Sequence, residues 1–146
     1  MKAAALLLLL PLASHAEDWL EVDNPVGPDR YYYHTGKIVI NGDDVTYWKK
    51  VEFKVAPRIK NKPARTALYR ERLNCAEHTL KTLDYLFYAA DNTTLELVSQ
   101  NDPQSQPVIP DTIGDLFERA LCPLVEQRKK EEKEKGEVPD IIRKDS

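Results

Sequence analysis

Cysteine is scarce in this chain, with two residues among 146, at positions 75 and 122. That excludes the four-cysteine spacings of structural zinc sites. Histidine is hardly commoner, and His34 and His78 share no ligand spacing with each other or with the cysteines. Glycine occurs five times, and neither a P-loop, a dinucleotide fingerprint nor a nucleophile motif is present. Charge of one sign is also missing. The 21 Lys and Arg nearly balance the 24 Asp and Glu, for a net charge of −3. Nucleic-acid binders need a basic face, so nucleic acid is not an expected partner. Beyond the first dozen residues no apolar run is long enough to span a bilayer. The chain is therefore expected to be non-enzymatic, with no cofactor and no metal.

What is present begins at the first residues. Lys2 supplies a short positive start, and Ala3–Leu12 is apolar except for Pro11. Ser14-His15-Ala16 then places small residues where a signal peptidase reads. This is the pattern of a removed secretory signal over residues 1–16, with cleavage expected between Ala16 and Glu17. The run is about half the ~20 residues a membrane anchor needs. No cysteine lies near the cleavage point to accept a lipid. The expected address is the periplasm or the secreted space. Export to an oxidising compartment makes a Cys75–Cys122 disulfide the default. The competing reading is a free thiol served by His78, but in an extended strand residues three apart face opposite sides.

The rest, residues 17–146, suits one domain over 17–125 and a charged tail over 126–146. Trp19–Val22 and the segment from Tyr31 read as strands. Lys37–Ile40 and Val45–Val55 flank Asn41-Gly42-Asp43-Asp44, and Asn-Gly is a strong hairpin signal. Val45, Tyr47, Val51, Phe53 and Val55 alternate onto one face, with Lys49 as the exception. Pro57–Pro63 reads as a basic linker. Ala67–Cys75, Thr79–Ala89 and Thr94–Val98 read as further strands, although Leu80, Leu83, Leu86 and Phe87 also fit a helix. Asn101–Pro110 reads as a loop. From Ile113 the apolar period becomes helical through Leu116, Phe117, Ala120, Leu121, Leu124 and Val125. Asp111 or Thr112 is the expected N-cap, and Pro123 is expected to kink or restart the helix. Glu126–Lys130 and Arg128–Glu132 are expected i,i+4 pairs. The fold class is thus α+β: an antiparallel sheet with a C-terminal helix packed on it and tied by one disulfide.

Several groups invite a binding reading. Trp48, on the polar face of its strand, and Tyr32 are candidate anchors, though aromatics also pair across strands to cover a small core. Arg58 and Lys60 suit an acidic or sulfated ligand, and equally a solvated loop. Asp43-Asp44 is explained by turn chemistry alone. Asn92-Thr93-Thr94 is a glycan acceptor only in a host with that machinery.

Taken in order, Trp19, Tyr31-Tyr32-Tyr33, Val45-Thr46-Tyr47-Trp48-Lys49-Lys50, Leu68–Cys75 and Ile109–Cys122 form a familiar set. The chain resembles the surface-adhesin protein E family of Gram-negative bacteria over roughly Trp19 to Cys122. The resemblance implies the same sheet, helix and disulfide. It also implies a cell-envelope protein without catalytic activity, and named members bind host matrix and serum proteins. A protein partner follows, either a host protein or, for a soluble periplasmic accessory protein, another envelope component. This chain departs from surface-displayed members in its missing lipid-acceptor cysteine and its charged extension after Cys122. One outcome is expected regardless of the partner. Mass spectrometry of the exported chain should find Glu17 at its start, and an exported chain still beginning at Met1 would sink the signal assignment.

Overall fold

A computed structural model describes residues 18–136. The signal segment and its Ala16–Glu17 cleavage point lie outside the described residues. Ten strands precede one helix. They are β1 (Trp19–Val22), β2 (Arg30–His34), β3 (Val39–Asn41), β4 (Asp44–Glu52) and β5 (Arg58–Ile59). Then follow β6 (Lys62–Pro63), β7 (Thr66–Asn74), β8 (Thr79–Tyr88), β9 (Thr94–Ser99) and β10 (Gln106–Pro107), and last α1 (Ile113–Gly136).

The long strands β4, β7 and β8 form the trunk of an eight-stranded antiparallel sheet. Short strands fill each flank end to end. β2 pairs with Lys49–Glu52 of β4, and β3 pairs with Asp44–Thr46 of the same strand. On the far side β9 and β10 divide β8 between them. β1 closes the β2 flank. Period-two alternation dictates the faces. Val45, Tyr47, Lys49 and Val51 of β4 lie opposite Leu73, Glu71, Tyr69 and Ala67 of β7. We call this the inner face, because α1 packs on it. Its core is Val45, Tyr47, Leu73, Phe117, Leu121 and Val125, all fully buried. Phe117 stacks on Tyr47 with ring centroids 5.5 Å apart and meets Tyr31 edge-on.

The expected disulfide is present. Cys75, just past the end of β7, bonds Cys122 on α1, with Cα atoms 5.7 Å apart. The bond closes a separation of 47 residues, which chain entropy values at about 4 kcal/mol.

Several local expectations change. The hairpin tip is Gly42-Asp43, because Asn41 is still paired with Asp44. Gly42 alone takes positive φ there, at 59°, the region open to a residue without Cβ. β4 stops at Glu52, where the Lys54 amide turns away to donate to Asp29. Val55 is consequently 78% exposed. Residues 57–63 are a hairpin rather than a linker: β5 and β6 are joined by Lys60 and Asn61 at φ 49° and 64°, as a tight hairpin turn requires. Thr79–Tyr88 is a strand, and a bulge between Arg70 and Glu71 leaves Leu83 without a partner on β7. Part of the 101–110 loop is drawn into the sheet as β10. At the start of α1 the Thr112 carbonyl accepts from Leu116, but its hydroxyl donates to Ile109. Asp115 instead accepts the Asp111 amide and holds Arg119, which keeps its carboxyl below the usual range. The helix remains one element through Pro123, where the core residues and the disulfide on either side hold it. Neither anticipated pair in its charged half closes among the described residues; Lys129 reaches back to Asp43 on the hairpin.

Reducing the disulfide should lower stability by ~2–5 kcal/mol, and Leu121→Ala by a similar ~2–5 kcal/mol. Urea unfolding with and without reductant measures the first. Coincident midpoints would contradict the pinning role of the bond.

Candidate interaction surface

The two faces of the sheet have different chemistry. On the inner face, Lys49 breaks its strand's apolar alternation for a visible reason. Its Nζ donates to Glu71 Oε1 at 2.6 Å, and the Tyr47 hydroxyl donates to Glu71 Oε2 at 2.7 Å. The ammonium also sits 4.6 Å from the Tyr69 ring centroid and 5.6 Å from that of Phe117. Glu71 is 3% exposed. A pair this deep must recover its desolvation cost through such contacts. Burial, then the Glu71 charge and hydrogen bond, hold the Tyr47 phenol well above its ordinary range. Tyr31 and Tyr69 are raised too, again first by burial. Past the helix the face continues as aromatics. Phe53 stacks on Phe87 at 6.3 Å, and Tyr69, Tyr85 and Phe87 lie edge to edge or tilted, about 6 Å apart.

The outer face carries Tyr32, Trp48, Lys50, Glu52, Leu68, Arg70 and Asp84, and among the described residues no helix lies over it. Arg30 forks onto Glu21 with two bonds of 2.9 Å. Arg70 donates to Asp84 at 2.5 Å. Trp48 is half-buried and lies directly opposite Arg70 across the β4–β7 ladder. Tyr32 lies opposite Lys50, which is one same-face position along β4 from Trp48. Tyr32 is nevertheless 8% exposed, and its hydroxyl donates to Glu52 at 3.1 Å. It serves as floor rather than as a protruding anchor. Arg58 and Lys60 are exposed on the β5–β6 hairpin, a two-stranded sheet separate from the one that holds Trp48, and Arg58 spends one donor on the Asn61 carbonyl at 2.6 Å.

The remaining polar candidates are occupied locally. Asp43 accepts from Lys129 and Asp44 from Asn74. His34 accepts the Gly36 amide at 3.1 Å, and His78 faces Glu118 at 2.8 Å. Among the described residues no three His, Cys, Asp or Glu side chains converge to hold a metal, and no helix is long and apolar enough to cross a membrane.

A family model described as surface-adhesin protein E matches residues 19–123, from the start of β1 to just past the disulfide. The chain belongs to the surface-adhesin protein E family. The crystal structure of protein E from non-typeable Haemophilus influenzae is similar, with a TM-score of 0.56 at 17% identity over 84% of this chain and 90% of that one. The Haemophilus influenzae selenomethionine form has a TM-score of 0.54 at 17% identity, covering 79% and 93%. A further Haemophilus influenzae protein E structure gives 0.51 at 19% identity, covering 82% and 94%. At these identities the likeness speaks for the fold. No curated protein sequence matches the chain.

Within this surface-adhesin fold the helix takes the inner face and, among the described residues, leaves the outer one uncovered. Sequence reasoning passed over Glu71. The available signal was its position between Tyr69 and Leu73, on the apolar face of its strand, as the acidic counterpart of the misplaced Lys49.

The raised tyrosines give a pH expectation with a definite sign. Unfolded tyrosines ionise near 10, while the buried ones resist. Their contribution is complete below that value and is lost as pH rises through the folded-state values. Thermal stability should therefore fall above about pH 10, with part of the phenolate absorbance appearing only on unfolding. Reversible titration of all seven tyrosines in the folded chain would contradict this.

Proposed function

We propose that this chain is an exported, non-enzymatic binding protein of the surface-adhesin type, holding a host matrix or serum protein on its outer sheet face. The family membership supports adhesion as the general role. The observation that carries the choice of face is the bare sheet surface around Trp48 and Arg70. Indole and guanidinium side chains are the groups that most often dominate protein interfaces. They stand here on long, paired strands, so little ordering cost accompanies binding. The Arg58–Lys60 hairpin supplies positive charge at the periphery, where it speeds encounter more than it adds affinity. The address that goes with this reading is the secreted space. A periplasmic accessory role differs only in address and partner, and protease accessibility on intact cells separates the two.

Surface plasmon resonance against immobilised matrix and serum proteins tests the reading. Trp48→Ala should weaken binding by about thirtyfold, as loss of a central anchor does. Arg58→Ala with Lys60→Ala should change it by about threefold or less, and mainly at low salt. Undiminished binding by the Trp48 variant would remove the outer face as the site. Absence of binding by the unsubstituted protein would remove the adhesive role.

A further inference from the structure

A second feature of the outer face lies beside Trp48 and does not include it. Trp19, Lys50, Thr66, Leu68, Tyr88 and Asn92 line an open groove of about 350 Å³. That volume lies within the range of small-ligand sites. Four separate strands and the turn after β8 contribute to it. Trp19 of β1 is set by its edge contact with His34, whose ring centroid is 4.9 Å away.

Lys50 is the unusual member. Its side chain is only 16% exposed. Its ammonium lies 5.0 Å from the Trp19 ring centroid and 4.5 Å from that of Tyr32. The nearest carboxylate oxygen, Glu52 Oε1, is 3.7 Å away, beyond hydrogen-bond distance. The other Glu52 oxygen accepts from Tyr32. The inner-face neighbour Lys49, by contrast, spends its charge fully on Glu71. A half-enclosed ammonium with unspent donors, opening on a groove, is a site for an anionic oxygen.

From this lining we infer that the groove binds a sugar ring bearing a carboxylate. Indole and phenol rings present negative faces, which attract the weakly positive C–H face of a pyranose. Leu68 lies between them on β7, and the Thr66 hydroxyl and Asn92 amide are available for ring hydroxyls. Lys50 takes the carboxylate. Other anions suit the lining less well. A fatty acid leaves Thr66 and Asn92 unpaired, which a site of mixed polarity penalises. A phosphate group is better met by an arginine fork or a nest of backbone amides, and the lining supplies neither. The ligand is independent of the protein partner proposed above.

The chain's two tryptophans, Trp19 and Trp48, provide the readout. In a Trp48→Phe protein, emission comes from Trp19 alone. Titration with methyl glucuronide and methyl glucoside should quench it saturably, with the acidic sugar binding about tenfold tighter, the value of one charge-assisted contact. Lys50→Gln should erase that preference while neutral binding persists. Asn92→Gly keeps the positive φ at that position and should weaken both sugars. The comparison of the two sugars needs no groove variant, so it stands even if Lys50→Gln misfolds. Equal affinities, or no saturable change with either sugar, would overturn the assignment.

Discussion

One helix has to cover the inner face of an eight-stranded sheet, and it is held there by a single covalent bond and one row of apolar side chains. Phe117, Leu121 and Val125 recur at helical spacing and meet Val45, Tyr47 and Leu73. Cys122 lies within that row and is bonded to Cys75 at the end of β7. The bond sets where along the sheet the helix sits, and the apolar row sets its orientation. Lys129 extends the same anchoring to the β3–β4 hairpin through Asp43. A domain of this size has a modest core, so a cross-link worth a few kcal/mol is a large part of the ~5–15 kcal/mol that typical domains possess.

A helix held at one end of the sheet leaves the other end to cover itself. The aromatics Phe53, Tyr69, Tyr85 and Phe87 do this by packing against one another. Between the two regions lies the Lys49–Glu71–Tyr47 cluster, where polar atoms are buried but all bonded. Such a cluster contributes less net stability than apolar packing would. Its geometry requires β4 and β7 to be in one register, because a one-residue slip of either strand would carry that strand's charge to the outer face and leave the other unpaired inside.

The outer face follows from the same arrangement. With no described helix over it, its charges pair laterally, Arg30 with Glu21 and Arg70 with Asp84. The Arg30 and Lys50 cations lie over the Tyr32 ring, and the Lys50 ammonium also lies over the Trp19 ring.

Much of this architecture is legible in residue order. Period-two alternation announces β4 and β7, and the change to helical spacing at Ile113 announces α1. The apolar N-terminal run and the even count of two cysteines point together to the disulfide. Trp48 is readable as an aromatic on a polar face. These are local properties, set by backbone periodicity and compartment chemistry. Other features have no local signature. Lys49 and Glu71 each look like an exception in its own strand until the register places them together. The groove exists because Trp19, Lys50 and Tyr88, far apart in the chain, come to one face. The turn at Lys60 and Asn61 looked like linker because positive φ leaves little trace in composition. Pairing between distant strands depends on burial summed over the whole sheet, and no short window of sequence contains that sum.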